Sequence, residues 1–231
     1  MFDTGVFNGF HEPTFDFLRG IADNNDKVWF TEHKKQYQDH FVAAGQSFAT
    51  ALGHRLQALH PAVQVEPKVN GSLFRINRDI RFSKDKTPYK THLDMFFWLG
   101  TGRSRECAGF FFRLAPDAAW VGSGIHGFSK AALEAYREAV VGPRGDELEA
   151  ILAELGDYTL GGQHYKRVPR GLDAEHPRAE LLKHDALFAD LKLEPLPDTV
   201  RTPEFVTVVA DHCAALLPLL VWVADVVEST K

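Results

Sequence analysis

Apolar residues at Phe48, Leu52, Leu56 and Leu59 recur at spacings of four, four and three. That is the period of one buried helix face, and Pro61 closes the run. Upstream, Pro13 suits the first turn of a helix that turns Phe17, Leu18, Ile21 and Ala22 inward, with Asn24-Asn25 ending it. Trp29, Phe30, Tyr37 and Phe41 predict a second helical stretch, so the first quarter of the chain reads as helical. The middle changes period. Thr91 to Leu99, Cys107 to Leu114 and Ala118 to Ile125 are rich in aromatic and β-branched residues. Gly100-Thr101-Gly102-Arg103-Ser104 and Ala115-Pro116-Asp117 read as hairpin connections between them. These runs predict an antiparallel sheet, with Ser72 to Ile76 as a further strand.

Beyond the sheet, Ser129 is placed to cap a helix running to about Val140, and Leu148, Ile151, Leu152 and Leu155 mark another from about Gly145. His164 to Val168 reads as a return to the sheet, Pro177 to His184 as a short helix, and Phe188 to Leu193 as an alternating strand. A long helix ends the sequence, with Thr202 as cap and Pro203 first. Its apolar face carries Phe205, Val208, Val209, His212, Leu216, Leu219, Leu220 and Val223, and Pro218 interrupts it. No repeat, low-complexity tract or linker divides the 231 residues. The expectation is one α+β domain over 1–231, a mainly antiparallel central sheet flanked by N-terminal and C-terminal helices.

Composition narrows the class. With 45% hydrophobic residues and 18 Phe, the chain can fill a core with apolar rings. The formal charge of −5 argues against a polyanion-binding surface over the whole protein. Cys107 and Cys213 have no metal or redox spacing and read as buried thiols of a reducing compartment. The opening Met1-Phe2-Asp3-Thr4 has no leader pattern, and the most apolar run, Ala214 to Ala224, is short for a bilayer span. A cytoplasmic protein without a membrane partner is expected.

Charge is not evenly spread. Between Phe74 and His92 stand six cations (Arg75, Arg78, Arg81, Lys84, Lys86, Lys90) and two anions (Asp79, Asp85). That local +4 leaves −9 for the remainder. The cations alternate with Phe74, Ile76, Ile80, Phe82 and Tyr89. Arg presents a flat fork of donors matched to carboxylate or phosphate. The candidate ligand-binding residues are therefore Arg75, Arg78, Arg81, Lys86, Tyr89 and Lys90. Asp79, Asp85 and His92 are the candidate acid–base groups, with His92 beside Asp94. On a strand from Lys90 to Trp98, Lys90, His92, Asp94, Phe96 and Trp98 would share a face that grades from polar to aromatic. The expected partner is a small phosphorylated or carboxylated ligand, and an enzyme acting on it is one reading. Two other readings stay open. The Arg/Asp motif is an internal ionic knot of a non-catalytic structural or assembly protein, or the rings and cations bind single-stranded nucleic acid, which the acidic remainder disfavours.

The run Arg78-Asp79-x-Arg81-Phe82-Ser83-x-Asp85-Lys86-x-Pro88-Tyr89-Lys90 resembles the signature of an uncharacterised family of bacterial conserved hypothetical proteins, domain of unknown function 2461. The likeness extends to Asn24-Asn25 with Trp29-Phe30, to Ala108-Gly109-Phe110-Phe111-Phe112, to Arg167-Val168-Pro169-Arg170-Gly171, and to His176-Pro177 with Leu181-Leu182-Lys183. It implies a shared fold and a shared site, and no activity.

Other signals weigh less. Gly122-Ser123-Gly124-Ile125-His126-Gly127 matches G-x-G-x-x-G, but two helices follow where a dinucleotide fold needs a parallel strand. Its glycines could still present free N–H groups to an anion. No pair among the 11 His has zinc spacing on a helix, so no metal site is expected, and no motif names a cofactor. Lys166, Arg167 and Arg170 form a second basic cluster, either facing the first or lying on the solvated surface.

Overall fold

The computed structural model describes residues 6–102 and 107–230. Its helices and strands run in the order α1 (Glu12–Asp23), α2 (Lys27–Glu32), α3 (Lys34–Gln36), a π-helical turn (Tyr37–Val42), α4 (Ala43–Leu59), β1 (Val63–Gln64), β2 (Leu93–Leu99), β3 (Gly109–Leu114), β4 (Ala119–Ile125), α5 (Lys130–Val141), α6 (Arg144–Ala153), β5 (Thr159–Gln163), β6 (His184–Leu193) and α7 (Phe205–Glu228). The strands form an antiparallel sheet in the order β1-β2-β3-β4-β6-β5, so the fold is α+β. Contacts group the chain into two compact units. The first takes residues 6–97, 111–121 and 192–211, and the second the rest.

The first unit is built on rings. Phe7, Phe10, Phe48, Phe112 and Phe205 are buried together, with Phe48 centred 4.9 Å from Phe7, 5.0 Å from Phe10 and 4.8 Å from Phe112. This is the ring-filled core that the 18 Phe lead one to expect. A second string of rings leads outward. Phe17 meets Phe41, and Phe30 meets Tyr37 and stacks on Tyr89 at 4.3 Å. Asp26 caps α2 by accepting from the N–H groups of Val28 and Trp29. Asn24 ends α1, as its sequence suggests, while Ala22 is exposed rather than inward.

In the second unit Ser129 accepts from Ala132 N–H and caps α5. Trp222 donates its indole N–H to the Arg144 carbonyl at 3.1 Å, and Tyr136 donates to the Leu181 carbonyl at 2.9 Å. The first ties α6 to the end of α7, and the second ties α5 to the turn at Leu181–Lys183. That helix exceeds the short apolar run read from sequence. By length and composition its 24 residues could cross a bilayer, yet half of its most apolar stretch is buried in the protein. Phe205, Val209, Leu216, Leu219, Leu220 and Val223 are buried as expected, whereas Val208 and His212 are only partly so.

Several boundaries differ from expectation. Ser72 to Ile76 is not a strand. It follows β2 through one bridge, Leu73 to Met95, with Phe74 N–H donating to the Asp94 carbonyl and Phe96 N–H to that of Ser72. Residues 164–168 are irregular, and the returning strand is Thr159–Gln163 just before them. The 177–184 segment holds only a single 3₁₀ turn at Leu181–Lys183. α7 starts at Phe205, two residues after Pro203, because Thr202 turns its hydroxyl back to the Thr199 carbonyl. Arg103 and Ser104 of the expected hairpin lie outside the described residues. The Gly122–Gly127 motif has a packing origin. Gly124 has φ +134°, and a side chain there would meet the Leu187 carbonyl. The sheet is antiparallel, so no dinucleotide crossover follows.

Candidate functional site

The basic segment is fixed at its C-terminal end. Asn25 donates its amide to the Tyr89 carbonyl at 2.9 Å, and Tyr89 N–H donates back to Asn25 Oδ1 at 3.0 Å. That side chain mimics a neighbouring strand. With Phe30 stacked on the Tyr89 ring, it buries Tyr89 and sets the direction in which the chain enters β2. Lys90 N–H donates to the Ile76 carbonyl, and the chain bends at Thr91 and His92 before β2 begins at Leu93. Across that bend Lys90 and His92 turn their side chains to one carboxylate.

They meet at Asp94. Its Oδ2 accepts from Lys90 Nζ at 2.9 Å and lies 3.2 Å from His92 Nε2. Its Oδ1 accepts from Arg113 Nε at 2.7 Å. Arg113 arrives from the adjacent strand β3. Leu99 N–H bonds to the Ala108 carbonyl, and counting five residues back on one strand and forward on the other sets Asp94 opposite Arg113. Asp94 is 4% exposed, while its partners Lys90, His92 and Arg113 are 22%, 24% and 36% exposed. Burial alone would push the Asp94 carboxyl up. Hydrogen bonds from His92 and Arg113, with the electrostatic pull of His92 and Lys90, overcome this and hold it well below the usual carboxylate range. Lys90 also lies over the Phe74 ring at 4.8 Å, and Arg113 over Phe111 at 5.4 Å.

The buried anion is thus shared by two fixed cations and a histidine. Lys90 and Arg113 exceed Asp94 by one positive charge, and their outer surfaces meet solvent. This is a preorganised cationic cradle with a histidine inside it.

The other sequence-predicted residues are grouped differently. Arg78 donates to Asp85 at 2.5 Å, to the Thr87 carbonyl at 3.1 Å and to the Thr87 hydroxyl. Arg81 forks onto Asp79 through Nε and Nη2. Lys86 donates to the Ile80 carbonyl at 2.9 Å. Arg75 is exposed and close enough to Asp79 to add to its pull. Asp79 is brought down to about 2, first by Arg81. Asp85 is brought down to about 2, first by the Thr87 N–H and then by Arg78. Carboxylates held so firmly ionised are weak proton acceptors near neutral pH, which leaves His92 as the acid–base candidate. Residues 78–87 therefore pair among themselves, whereas Lys90 and His92 pair with Asp94.

Arg113 escapes the sequence reading because it lies nineteen residues from Asp94. One signal could have found it: a lone charge in the apolar run Phe110-Phe111-Phe112-Arg113-Leu114, one hairpin away from Asp94. Two cavities of about 390 and 500 Å³ lie elsewhere in the first unit. His11, His40 and Thr14 line one, and His54, Arg55 and Val206 line the other. None of Arg75, Arg78, Arg81, Lys86 and Lys90 lines either. Among the described residues no group of His, Cys, Asp and Glu is placed to hold a metal ion.

No curated protein matches the sequence. A family pattern does, over residues 13–222, nearly the whole chain. That span contains the Asn25 clamp, the Arg78–Asp85 knot, the Asp94 cradle and the strand that brings Arg113. The chain therefore belongs to the conserved hypothetical proteins of the DUF2461 family.

Proposed function

We propose that this protein binds a small phosphorylated or carboxylated ligand in the cradle formed by Lys90, His92 and Arg113, working as a soluble cytoplasmic protein. One observation carries the reading: Asp94 is almost fully buried while the three side chains bound to it reach solvent. A carboxylate in that position orients donors whose remaining N–H groups face outward, and a second anion completes their coordination. His92 is placed to exchange a proton with the ligand, which gives an enzymatic step its acid–base group. The burial of half of α7's most apolar stretch supports a core helix rather than a lipid-facing one. The Arg/Asp motif between residues 78 and 87 holds its loop together, a structural role supported by the Arg78–Asp85–Thr87 bonds.

Thermal unfolding at constant ionic strength tests this. Phosphate, pyrophosphate and citrate are compared on wild type and Arg113→Gln. A ligand at a hundred times its dissociation constant adds about 2.7 kcal/mol, roughly 5–11 °C for a chain of this size. The wild type should show such a rise and the variant should lose it. No rise with any of these anions, or an equal rise in both proteins, refutes the proposal.

A further inference from the structure

The second basic cluster differs from the first in a way sequence does not show. In residues 78–87 the arginines are answered by carboxylates. Among the described residues, Lys166, Arg167 and Arg170 make no ion pair, and all three are exposed. Between residues 164 and 172 no acid stands among them. Arg137, on α5, also has no carboxylate partner, and its guanidinium lies 5.7 Å from the centre of the Tyr165 ring. Its Nε is buried without a hydrogen-bond partner. Arg137 thus lies by the Tyr165 ring, Lys166, Arg167 and Arg170 follow that ring within five residues, and none of the four forms an ion pair among the described residues.

The backbone there is held in place. Tyr165 N–H donates to the Lys183 carbonyl, which extends the β5–β6 pairing by one step. His164 Nδ1 binds Asp185 Oδ1, on β6, and the ring is well exposed. Leu172 N–H donates to the Pro169 carbonyl across a turn in which Gly171 has φ +88°. That conformation favours glycine at the third position and sets Arg170 at the corner, facing outward. The cations therefore project from an anchored ledge between two fixed points.

We infer that this ledge binds a nucleoside phosphate, a function additional to the anion binding proposed for the Asp94 cradle. The phosphate lies among Lys166, Arg167 and Arg170, where it supplies the missing counter-charge. The base stacks on the exposed part of the Tyr165 ring, 39% accessible and backed by the Arg137 guanidinium. His164, oriented by Asp185, offers its second nitrogen to the sugar or phosphate. The three clustered charges and the short ledge suit one nucleotide, and the chain's net −5 opposes a long polyanion.

Isothermal titration calorimetry with adenosine 5′-monophosphate, ribose 5-phosphate and a short oligoadenylate separates the possibilities. The variants are Arg167→Gln/Arg170→Gln, Tyr165→Ala and, as a control on the other site, Arg113→Gln. All but the last change exposed surface, so unfolding temperatures should stay near wild type. Expected is saturable binding of the mononucleotide, tighter than ribose 5-phosphate by roughly tenfold, the increment of one stacked base. Tyr165→Ala should erase that difference while leaving ribose 5-phosphate unchanged. The double variant should weaken both ligands at least tenfold, and Arg113→Gln should leave both as they are. The inference is overturned if the mononucleotide does not bind, or if the double variant binds it as well as wild type does. It is equally overturned if Arg113→Gln abolishes the binding, or if only the oligonucleotide binds.

Discussion

Asp94→Asn keeps the shape of the side chain and removes the one negative charge that Lys90, His92 and Arg113 share. Breaking a buried ion pair from one side costs about 3–5 kcal/mol, because the remaining partner is left without compensation. Here the partners are 22–36% exposed and regain water, so the lower end applies, about 3 kcal/mol. At 2–4 °C per kcal/mol for a chain of this size, the midpoint should fall by roughly 6–12 °C. The pH dependence should change as well. Asp94 is depressed in the folded protein relative to about 3.9 in the unfolded chain, so the folded state binds fewer protons. Its contribution is present above the unfolded value and is lost as pH falls from about 5 toward the depressed folded one. Asp79 and Asp85, near 2, act in the same window but are exposed and screened. Differential scanning calorimetry from pH 7 down to pH 3 should therefore show Asp94→Asn less stable at neutral pH and losing less stability on acidification. A midpoint within 2 °C of wild type at pH 7, with the same acid slope, would refute the claim that Asp94 organises the three cations.

Arg78→Met should cost only about 1 kcal/mol or less by urea unfolding, since Asp85 is 59% exposed and rehydrates; a loss of 3 kcal/mol would mean the knot is buried. Leu216→Ala removes a fully buried side chain of α7 and should cost about 2–5 kcal/mol by the same assay, and an unchanged midpoint would place that face outside the core. Asn25→Ala should leave the Tyr89 N–H and carbonyl without their partner and cost roughly 1–3 kcal/mol, while Asn25→Asp should keep one of the two bonds and fall between. Cys107 and Cys213 are both buried, and burial pushes the Cys213 thiol up. Neither should react with a thiol-specific chromogenic disulfide in native buffer and both should in denaturant; fast labelling of the native protein would contradict their burial.

The elements legible in sequence are those in which one physical signal dominates. Phe48, Leu52 and Leu56 write a helical stripe, Ser129 caps its helix, and the aromatic runs around Phe96, Phe112 and Val121 write strands. Ser72 to Ile76 misleads because its residues have β character, yet the segment pairs with β2 through the one isolated bridge Leu73–Met95. β5 was displaced because its Leu160-Gly161-Gly162 centre lacks side chains to alternate, and Phe188 of β6 lies over Gly161 instead. At the site, the run Lys90-x-His92-x-Asp94 is readable because its period is local. What is not readable is burial: Asp79, Asp85 and Asp94 look alike as letters, and only packing makes Asp94 the buried one. Arg113 depends on hairpin register, which no spacing within its own strand encodes.

An anion held in the Lys90–His92–Arg113 cradle lies against the His92 ring. Nuclear magnetic resonance of the histidine rings tests it most directly, with the His92 signal assigned by its loss in His92→Gln and titrated with inorganic phosphate at constant ionic strength. Expected is a saturable shift of that signal, lost in Arg113→Gln and retained in Arg167→Gln/Arg170→Gln. A His92 signal that stays still, or that drifts without saturation and equally in Arg113→Gln, would contradict it.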